Sequence, residues 1–324
     1  MRITSRCLLL TLLLLPALGR AEWFQREEAI MGTRVAVELW TEDAALAEHA
    51  MAAVIAEMRR TDELMSTYKP ESQLSQVNAH AFDRPVKVDP GIIEVVTRSF
   101  EFSRMSDGAF DVTYASVGHL YDYRARQHPS GAQIAAALPA VDWRQVQVDR
   151  SRGTIRFLRP GMRIDLGGIA KGYAVDRSIE ILRGLGIRHA LVNAGGDTRL
   201  LGDRRGKPWI VGIRDPRNEG RMVMRLPLED EAISTSGDYE RYFEEDGVRY
   251  HHILVPGTGK SANEVRSATI IGPDATQTDG LSTTVFVLGV ERGMALVSRL
   301  AGVEAVIVDR DGRIYYSDGL ATPQ

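Results

Sequence analysis

The 324 residues include 40 basic and 43 acidic side chains, and 44% of the chain is apolar. This composition is typical of a globular protein with a sizeable core. It argues against sequence-independent binding of nucleic acid or of an anionic membrane surface, since both depend on basic patches. Cys7 is the only cysteine, so beyond the N-terminus the sequence predicts neither disulfides nor thiolate metal sites.

The first 21 residues have the pattern of a secretory signal peptide. Arginines precede an apolar run from Cys7 to Leu15, and small residues follow up to Ala21. The run is shorter than the roughly 20 residues of a membrane span, and Cys7 stands before it, which is unsuitable for a lipid anchor. We therefore expect removal of residues 1–21, a single domain over residues 22–324, and a periplasmic protein with a net charge of about −6.

Apolar periodicity and capping residues predict the elements of the N-terminal half. They are an extended segment from Trp23 to Trp40 interrupted at Met31-Gly32-Thr33, a helix capped by Thr41 and ending near Met65, a helix from Asp89-Pro90 through Phe102, and a hairpin of Val146–Val148 with Thr154–Leu158.

The stretch from Ile164 to Tyr173 combines a short apolar run, two glycines and a helix-like pattern that carries Lys171. It predicts a strand that feeds a helix through a turn in which glycine lets the main chain approach a ligand. The first N–H groups of that helix would suit a phosphate. An ordinary strand-to-helix turn is the alternative that this stretch alone leaves open.

Beyond Gly186 the chain is rich in short alternating runs. Strands in runs with segregated helices indicate an α+β fold with mixed or antiparallel sheets, and not a regular βαβ alternation. The predicted elements are a helix ending near Leu185, the strands His189–Val192, Trp209–Ile213, Met222–Leu226 and Ala232–Thr235, a hairpin around Asp246-Gly247 that leads to Tyr250–Leu254, the strand Ala268–Ile271, a helix from Ala275 to Leu288, and the strands Ala305–Val308 and Arg313–Tyr316.

Asp279 and Thr283 are four residues apart on the last predicted helix, so they share one face and lie about 6 Å apart along its axis. Together with a backbone carbonyl from a glycine turn, their oxygens would suit a hard cation such as Mg²⁺. The alternative is a helix in which Asp279 only interacts with the dipole.

Tyr250-His251-His252 places two histidines on a predicted strand, which would point them to opposite faces, so at most one should face a given site. Near neutral pH a histidine can take a proton from an attacking hydroxyl. A surface or core histidine is the alternative for either one. The spacing of the other histidines does not predict a zinc site.

Eight motifs, taken in order, resemble the ApbE family, the FAD:protein FMN transferases. Any one of them is a weak signal, but in family order they span nearly the whole mature chain. They are Met31-Gly32-Thr33, Ser66-Thr67-Tyr68, Gly108 to Thr113, Asp165 to Gly172, Asn193 to Asp197, Ser234 to Asp238, His252-Ile253-Leu254 and Asp279 to Thr283.

The resemblance implies an α+β fold and a magnesium-dependent transfer of the FMN part of FAD to a threonine or serine hydroxyl of a target protein, with release of AMP. It implies His252 as the general base, with His251 pointing away, and membrane redox subunits as acceptors. The implied metal ligands are the Gly168 carbonyl, Asp279 and Thr283, with Ser282 as a further candidate. The implied FAD contacts are Met31, Tyr68, Ala109, Phe110, Asp111, Asp165, Lys171 and Leu254.

Two segments, Ser116–Leu120 and Val255–Gly259, depart from the family pattern, and neither includes an implied metal ligand or His252. Two other functions stay open at the level of sequence. One is a metal-dependent FAD pyrophosphatase, which would use water in place of the protein hydroxyl. The other is a periplasmic flavin-binding protein without turnover, although binding alone does not require a positioned base.

Overall fold

The computed structural model describes residues 22–218 and 220–320, so the predicted signal peptide lies outside it. The strands are β1 (Glu22–Ile30), β2 (Thr33–Thr41), β3 (Val86–Lys87), β4 (Val146–Asp149), β5 (Thr154–Phe157), β6 (Ala190–Ala194), β7 (Asp197–Leu201), β8 (Trp209–Arg214), β9 (Met222–Leu228), β10 (Ala232–Gly237), β11 (Tyr242–Glu245), β12 (Val248–His251), β13 (Leu254–Val255), β14 (Lys260–Ser261), β15 (Val265–Gly272), β16 (Glu304–Asp309) and β17 (Ile314–Tyr316). The helices are α1 (Ala44–Met65), α2 (Gln73–His80), α3 (Pro90–Met105), α4 (Ala115–Gly118), α5 (Gly131–Ala137), α6 (Ala170–Gly184) and α7 (Ala275–Val297).

An eight-stranded antiparallel sheet in the order β1-β2-β6-β7-β10-β15-β16-β17 is the centre of the fold. Helices α1, α6 and α7 pack together on it, with α6 over β6 and β7 and α7 over β10 and β15. Apolar side chains of the β8–β9 hairpin, including Trp209 and Ile213, pack on sheet residues such as Leu200 and Ile271. The predicted α+β class is confirmed.

Turn and capping residues explain the first elements. Met31 and Gly32 have φ of 55° and 69°, and such a two-residue turn with positive φ joins β1 to β2 as a hairpin. The predicted cap of α1 was wrong: Thr41 is the last residue of β2, and the Asp43 carboxylate accepts the N–H groups of Ala45 and Leu46. An aspartate there satisfies helix donors that would otherwise be free.

The predicted strand at Ile164-Asp165 was also wrong, because these residues form no strand. The Asn78 side chain takes the place of a neighbouring strand: its Nδ2 donates to the Ile164 carbonyl over 2.9 Å, and its Oδ1 accepts the Ile164 N–H over 2.7 Å. The Asp165 N–H donates to the Val112 carbonyl over 3.0 Å. This segment still leads into α6, as the sequence predicts.

Helix α7 is longer than predicted and continues past Gly289, where φ of 78° marks a kink. Within the part of the chain that the structure describes, it is the one helix long and apolar enough to cross a membrane. It is mostly buried against the sheet, as is usual for the core helix of a globular domain. Its first turns carry Asp279 and Thr283.

Candidate functional site

Helices α6 and α7 meet where the predicted metal ligands lie. Gly172, in the first turn of α6, is so close to α7 that an added Cβ would lie 2.1 Å from the Ala275 carbonyl oxygen and 2.8 Å from Asp279 Cβ. The Gly172 N–H donates to Asp279 Oδ2 over 2.9 Å. Glycine at this position therefore lets the start of α6 hold the Asp279 carboxylate.

We expect Gly172→Ala to lower the free energy of unfolding by about 1–3 kcal/mol, because the methyl group has no room against the α7 backbone. Gly184→Ala is the matched control in the same helix, since no neighbouring element comes within 4 Å of its added Cβ. That control should leave stability unchanged or raise it by up to about 1 kcal/mol. Urea unfolding of both variants provides the measurement, and equal stability would contradict the close approach.

Gly168 lies against Thr283 on the next turn of α7. A Cβ at position 168 would be 3.2 Å from Thr283 Oγ1 and 3.4 Å from Phe110 Cε2. Neither Gly167 nor Gly168 has a positive φ, so glycine is needed here for space and not for backbone conformation. The structure thus places Gly168 beside Thr283, which is one turn of α7 away from Asp279.

Ser282 and Thr283 are linked to the sheet through Ser236 of β10. The Ser236 hydroxyl lies 2.8 Å from Ser282 Oγ and 3.1 Å from Thr283 Oγ1. Ser282 also donates to the Asp279 carbonyl over 2.9 Å. Because Ser282 is already bonded twice within the protein, Thr283 is the better placed of the two hydroxyls to bind a cation.

A buried ionic cluster surrounds Asp279. Lys171 Nζ lies 2.6 Å from Asp197 Oδ2 and 3.5 Å from Asp279 Oδ1, and both carboxylates are about 2% exposed. Burial, followed by the neighbouring Asp197 charge, raises the pKa of Asp279 to about 7 against the opposing effect of Lys171. The two carboxylates raise the pKa of Lys171 above its ordinary value although its burial opposes this, so the ammonium stays charged.

His252, the predicted general base, is held in its neutral form. Within the described residues its buried Nδ1 has no hydrogen-bond partner, and its backbone N–H donates to the Arg241 carbonyl over 3.2 Å. Burial lowers the pKa of His252 to about 3, and the positive charges of Arg241 and Lys171 act in the same direction. The ring is therefore neutral near pH 7.

His251 has a different environment. Its ring packs edge-on against Phe286 at 5.6 Å between centroids, and its Nδ1 accepts the Ile253 N–H over 3.3 Å. It is 2% exposed, so it is a core residue and points away from a solvent-accessible site. Contrary to the prediction of one continuous strand, β12 ends at His251, and His252 lies in the connection to β13.

The exposed side of the site carries Tyr68 and Arg241. Tyr68 is 78% exposed, and Arg241 Nη1 donates to its hydroxyl over 3.4 Å. Arg241 also reaches the β1–β2 turn, because an added Cβ at Gly32 would be 3.7 Å from its Nη2. An exposed aromatic ring beside a cation could contact both a flavin ring and a phosphate, and Met31 lies in the same turn.

Several residues predicted to contact FAD have side chains that are buried or hydrogen-bonded within the protein. Phe110 is buried against Phe102, and Leu254 is 4% exposed. Asp111 accepts the Thr113 N–H over 2.8 Å and the Trp143 N–H over 3.1 Å. Ala109 lies in the turn before them and is half-buried. Contacts of this segment with FAD stay a prediction. They would be made by main-chain groups, or by a further hydrogen bond to the Asp111 carboxylate.

Asp165 holds together the loop that carries Gly168. Its Oδ2 accepts the Thr67 hydroxyl over 2.8 Å, and its Oδ1 accepts the Gly167 N–H over 2.7 Å. It thereby joins the loop before α6 to the segment that carries Tyr68. Its predicted role as an FAD contact stays a prediction.

Within residues 22–218 and 220–320, no group of three or more His, Cys, Asp or Glu side chains could hold a metal. The predicted metal ligands are of a different kind: one carboxylate, one hydroxyl and one main-chain carbonyl. Mg²⁺ binds through one or two protein carboxylates and keeps several waters or phosphate oxygens. The oxygen donors of Gly168, Asp279 and Thr283 therefore fit this ion and do not fit zinc, which prefers nitrogen and sulfur.

The two segments that depart from the family pattern contact each other. An added Cβ at Gly259 would lie 2.9 Å from Val117 Cγ1, and the Tyr121 hydroxyl donates to the Gly259 carbonyl over 2.8 Å. The nearby Tyr123 hydroxyl donates to the His251 carbonyl over 3.3 Å. The two departing segments thus pack against each other, next to the segment that carries His252.

Sequence reasoning gave no role to three residues of this site. Asp197 lies in the Asn193 to Asp197 motif, and no other feature of the sequence pointed to a functional role. Ser236 lies in the Ser234 to Asp238 motif, just past the strand predicted at Ala232–Thr235, whereas the structure includes it in β10. Arg241 has no local pattern at all, because its neighbours Gly32, Tyr68 and His252 come from distant segments.

The comparisons with known proteins agree on one family. The model of the ApbE family matches residues 31–307, a span that includes all eight motifs. The FAD:protein FMN transferase of Treponema pallidum is 33% identical over 93% of this chain and 89% of the relative, and that of Klebsiella pneumoniae is 32% identical over 89% and 90%. The ApbE protein of Thermotoga maritima has a TM-score of 0.86 at 34% identity, covering 93% of this chain and 98% of that one. The flavin transferase ApbE from Vibrio cholerae has a TM-score of 0.83 at 29% identity, covering 93% of this chain and 99% of that one.

Proposed function

This chain belongs to the ApbE family, and from that premise we propose that it is an FAD:protein FMN transferase. It transfers the FMN part of FAD to a threonine or serine hydroxyl of a target protein, with Mg²⁺ bound and AMP released. The observation that carries this proposal is the position of Gly168 beside Thr283, one turn of α7 from Asp279, which lies next to the charged Lys171. A protein with an acidic balance needs such a local arrangement to bind an anionic dinucleotide.

Mg²⁺ would be held by the Gly168 carbonyl, the Asp279 carboxylate and the Thr283 hydroxyl. When bound, it supplies positive charge that stabilises the pyrophosphate oxygens. Lys171 adds a second fixed positive charge, because its ammonium stays protonated between two buried carboxylates. Tyr68 and Arg241 bind and orient the dinucleotide from the exposed side of the site.

His252 takes the proton of the acceptor hydroxyl. As the hydroxyl oxygen attacks the phosphorus on the flavin side of FAD, a new oxygen–phosphorus bond forms and the bridging bond to AMP breaks. The ring of His252 is partly exposed, and because its Nδ1 is enclosed, the proton would go to Nε2. Burial keeps the ring neutral in the free protein. Because a general base works best with a pKa near the operating pH, the bound anionic dinucleotide would have to raise this pKa.

The test is to incubate the mature protein with FAD, Mg²⁺ and a purified acceptor domain, and to measure the acceptor mass. We expect a gain of one FMN, which EDTA prevents. Free FMN and AMP with an unmodified acceptor would instead support an FAD pyrophosphatase, and intact FAD would support a flavin-binding protein. Both outcomes would contradict the transferase.

We also propose that the protein is periplasmic, because a signal peptide is expected at residues 1–21. The acceptor would then be a membrane redox subunit with a flavin domain in that compartment. The intact mass of the protein recovered from the periplasmic fraction tests the location, since an exported chain would lack these residues.

A further inference from the structure

Asp197 belongs to a motif that the proposed reaction leaves without a role. It begins β7, after a turn in which Gly195 has φ of 68°. The turn is tightly enclosed, because an added Cβ at Gly195 would lie 2.7 Å from Thr33 Oγ1, and one at Gly196 would lie 2.7 Å from the Thr235 carbonyl oxygen. The backbone of Asp197 is therefore fixed on both sides within the central sheet.

The side chain of Asp197 is 2% exposed and faces α6. Its Oδ2 lies 2.6 Å from Lys171 Nζ, whereas the nearer Asp279 oxygen lies 3.5 Å from the same nitrogen. A single ammonium is thus shared unequally by two buried carboxylates, and it lies closer to Asp197. A buried carboxylate needs such a partner, because burial of an unpaired charge is costly.

The two oxygens of Asp279 have different surroundings. Oδ2 accepts the Gly172 N–H, which leaves Oδ1 facing Lys171. An ammonium in full contact with Oδ1 would compete with a divalent cation for that oxygen. The ammonium lies nearer to Asp197 Oδ2 than to Asp279 Oδ1.

We propose that Asp197 is a positioning residue that holds the Lys171 ammonium away from Asp279, so that Asp279 Oδ1 remains available to a divalent cation. This inference rests on the proposed cation site. In Asp197→Asn the ammonium would have only Asp279 as a charged partner and would move onto it. A cation would then have to displace Lys171 before binding.

The first measurement is calorimetric titration with Mg²⁺ alone, without FAD. Asp197→Asn should weaken Mg²⁺ binding by about 10–100-fold, as is common for residues that orient the metal ligands without binding the metal themselves. Adding Lys171→Met to this variant removes the competing ammonium and should restore the affinity to within a few-fold of wild type. Unchanged affinity in Asp197→Asn would overturn the proposal, and so would a double variant as weak as the single one.

The second measurement separates positioning from a direct effect of the Asp197 charge on the cation. The lysine ammonium ¹H–¹⁵N signal that disappears in Lys171→Met belongs to Lys171. In the wild type this signal should persist when Mg²⁺ is added, because Asp197 still holds the ammonium. In Asp197→Asn, Mg²⁺ should abolish the signal by releasing the ammonium to solvent. The same behaviour in both proteins would overturn the proposal.

Asp309→Asn is the matched control for loss of a buried carboxylate. Asp309 is 9% exposed and accepts the N–H groups of Asp311 and Arg313 in a turn on β16, with no contact to Lys171. It should alter neither the Lys171 signal nor Mg²⁺ affinity. Asp279→Asn tests the cation site itself: if it binds Mg²⁺ as well as wild type does, the proposed site is wrong. If only the Asp197→Asn result fails, the site stands and this inference alone is overturned.

Discussion

Asp279→Asn is expected to abolish measurable Mg²⁺ binding and to lower the rate of FMN transfer by at least about 10²–10³-fold. Asp279 is the one carboxylate in the predicted ligand set, and the amide that replaces it carries no negative charge. The variant should keep its fold, since an amide can still accept the Gly172 N–H. Calorimetry with Mg²⁺ and the mass of the acceptor protein measure the two effects.

Asp274→Asn is the control for this prediction, because it changes an aspartate at the start of the same helix. The Asp274 carboxylate caps α7 by accepting the Gln277 N–H over 2.7 Å. Asparagine is also a good capping residue, so we expect Mg²⁺ affinity and transfer close to those of wild type. Retained Mg²⁺ binding in Asp279→Asn, or equal losses in both variants, would contradict the assignment of the ligand.

Local patterns in the sequence predict much of this fold. The helix that begins at Asp89-Pro90 and the hairpin of β4 and β5 follow from capping and alternation within a few residues. The shared face of Asp279 and Thr283 follows from helical spacing alone. These features were predictable because each depends on residues that are close together in the chain.

The parts that the sequence did not predict depend on distant partners. Ile164 is not in a strand, because its backbone hydrogen bonds go to the Asn78 side chain, 86 residues away. The pairing of Lys171 with Asp197 requires the sheet order that brings β7 under α6. No periodicity within either segment contains that information, so the ionic cluster became visible only in the structure.

His252→Ala is expected to lower the rate of FMN transfer by about 10²–10⁴-fold, the usual contribution of a general base. Mg²⁺ affinity should stay within a few-fold of wild type, because His252 is not among the predicted ligands. The adjacent His251→Ala should instead lower the free energy of unfolding by about 1–3 kcal/mol, since it leaves the Ile253 N–H buried without its acceptor. Transfer rates and urea unfolding of the two variants distinguish a base from a core residue.

The pKa of His252 gives a separate test of the environment of its ring. Because its pKa is lowered to about 3 from an ordinary 6.5, the ring should show no titration between pH 5 and 8 in NMR spectra. Between pH about 6.5 and 3 the unfolded chain binds a proton at this position that the folded chain does not bind, so stability falls as the pH drops through this window. His252→Ala should lose that part of the pH dependence, whereas His49→Ala, which removes an exposed histidine of α1, should retain it. Titration of His252 near pH 6.5 would show that the ring is solvated in the folded protein and would contradict the predicted pH dependence of stability.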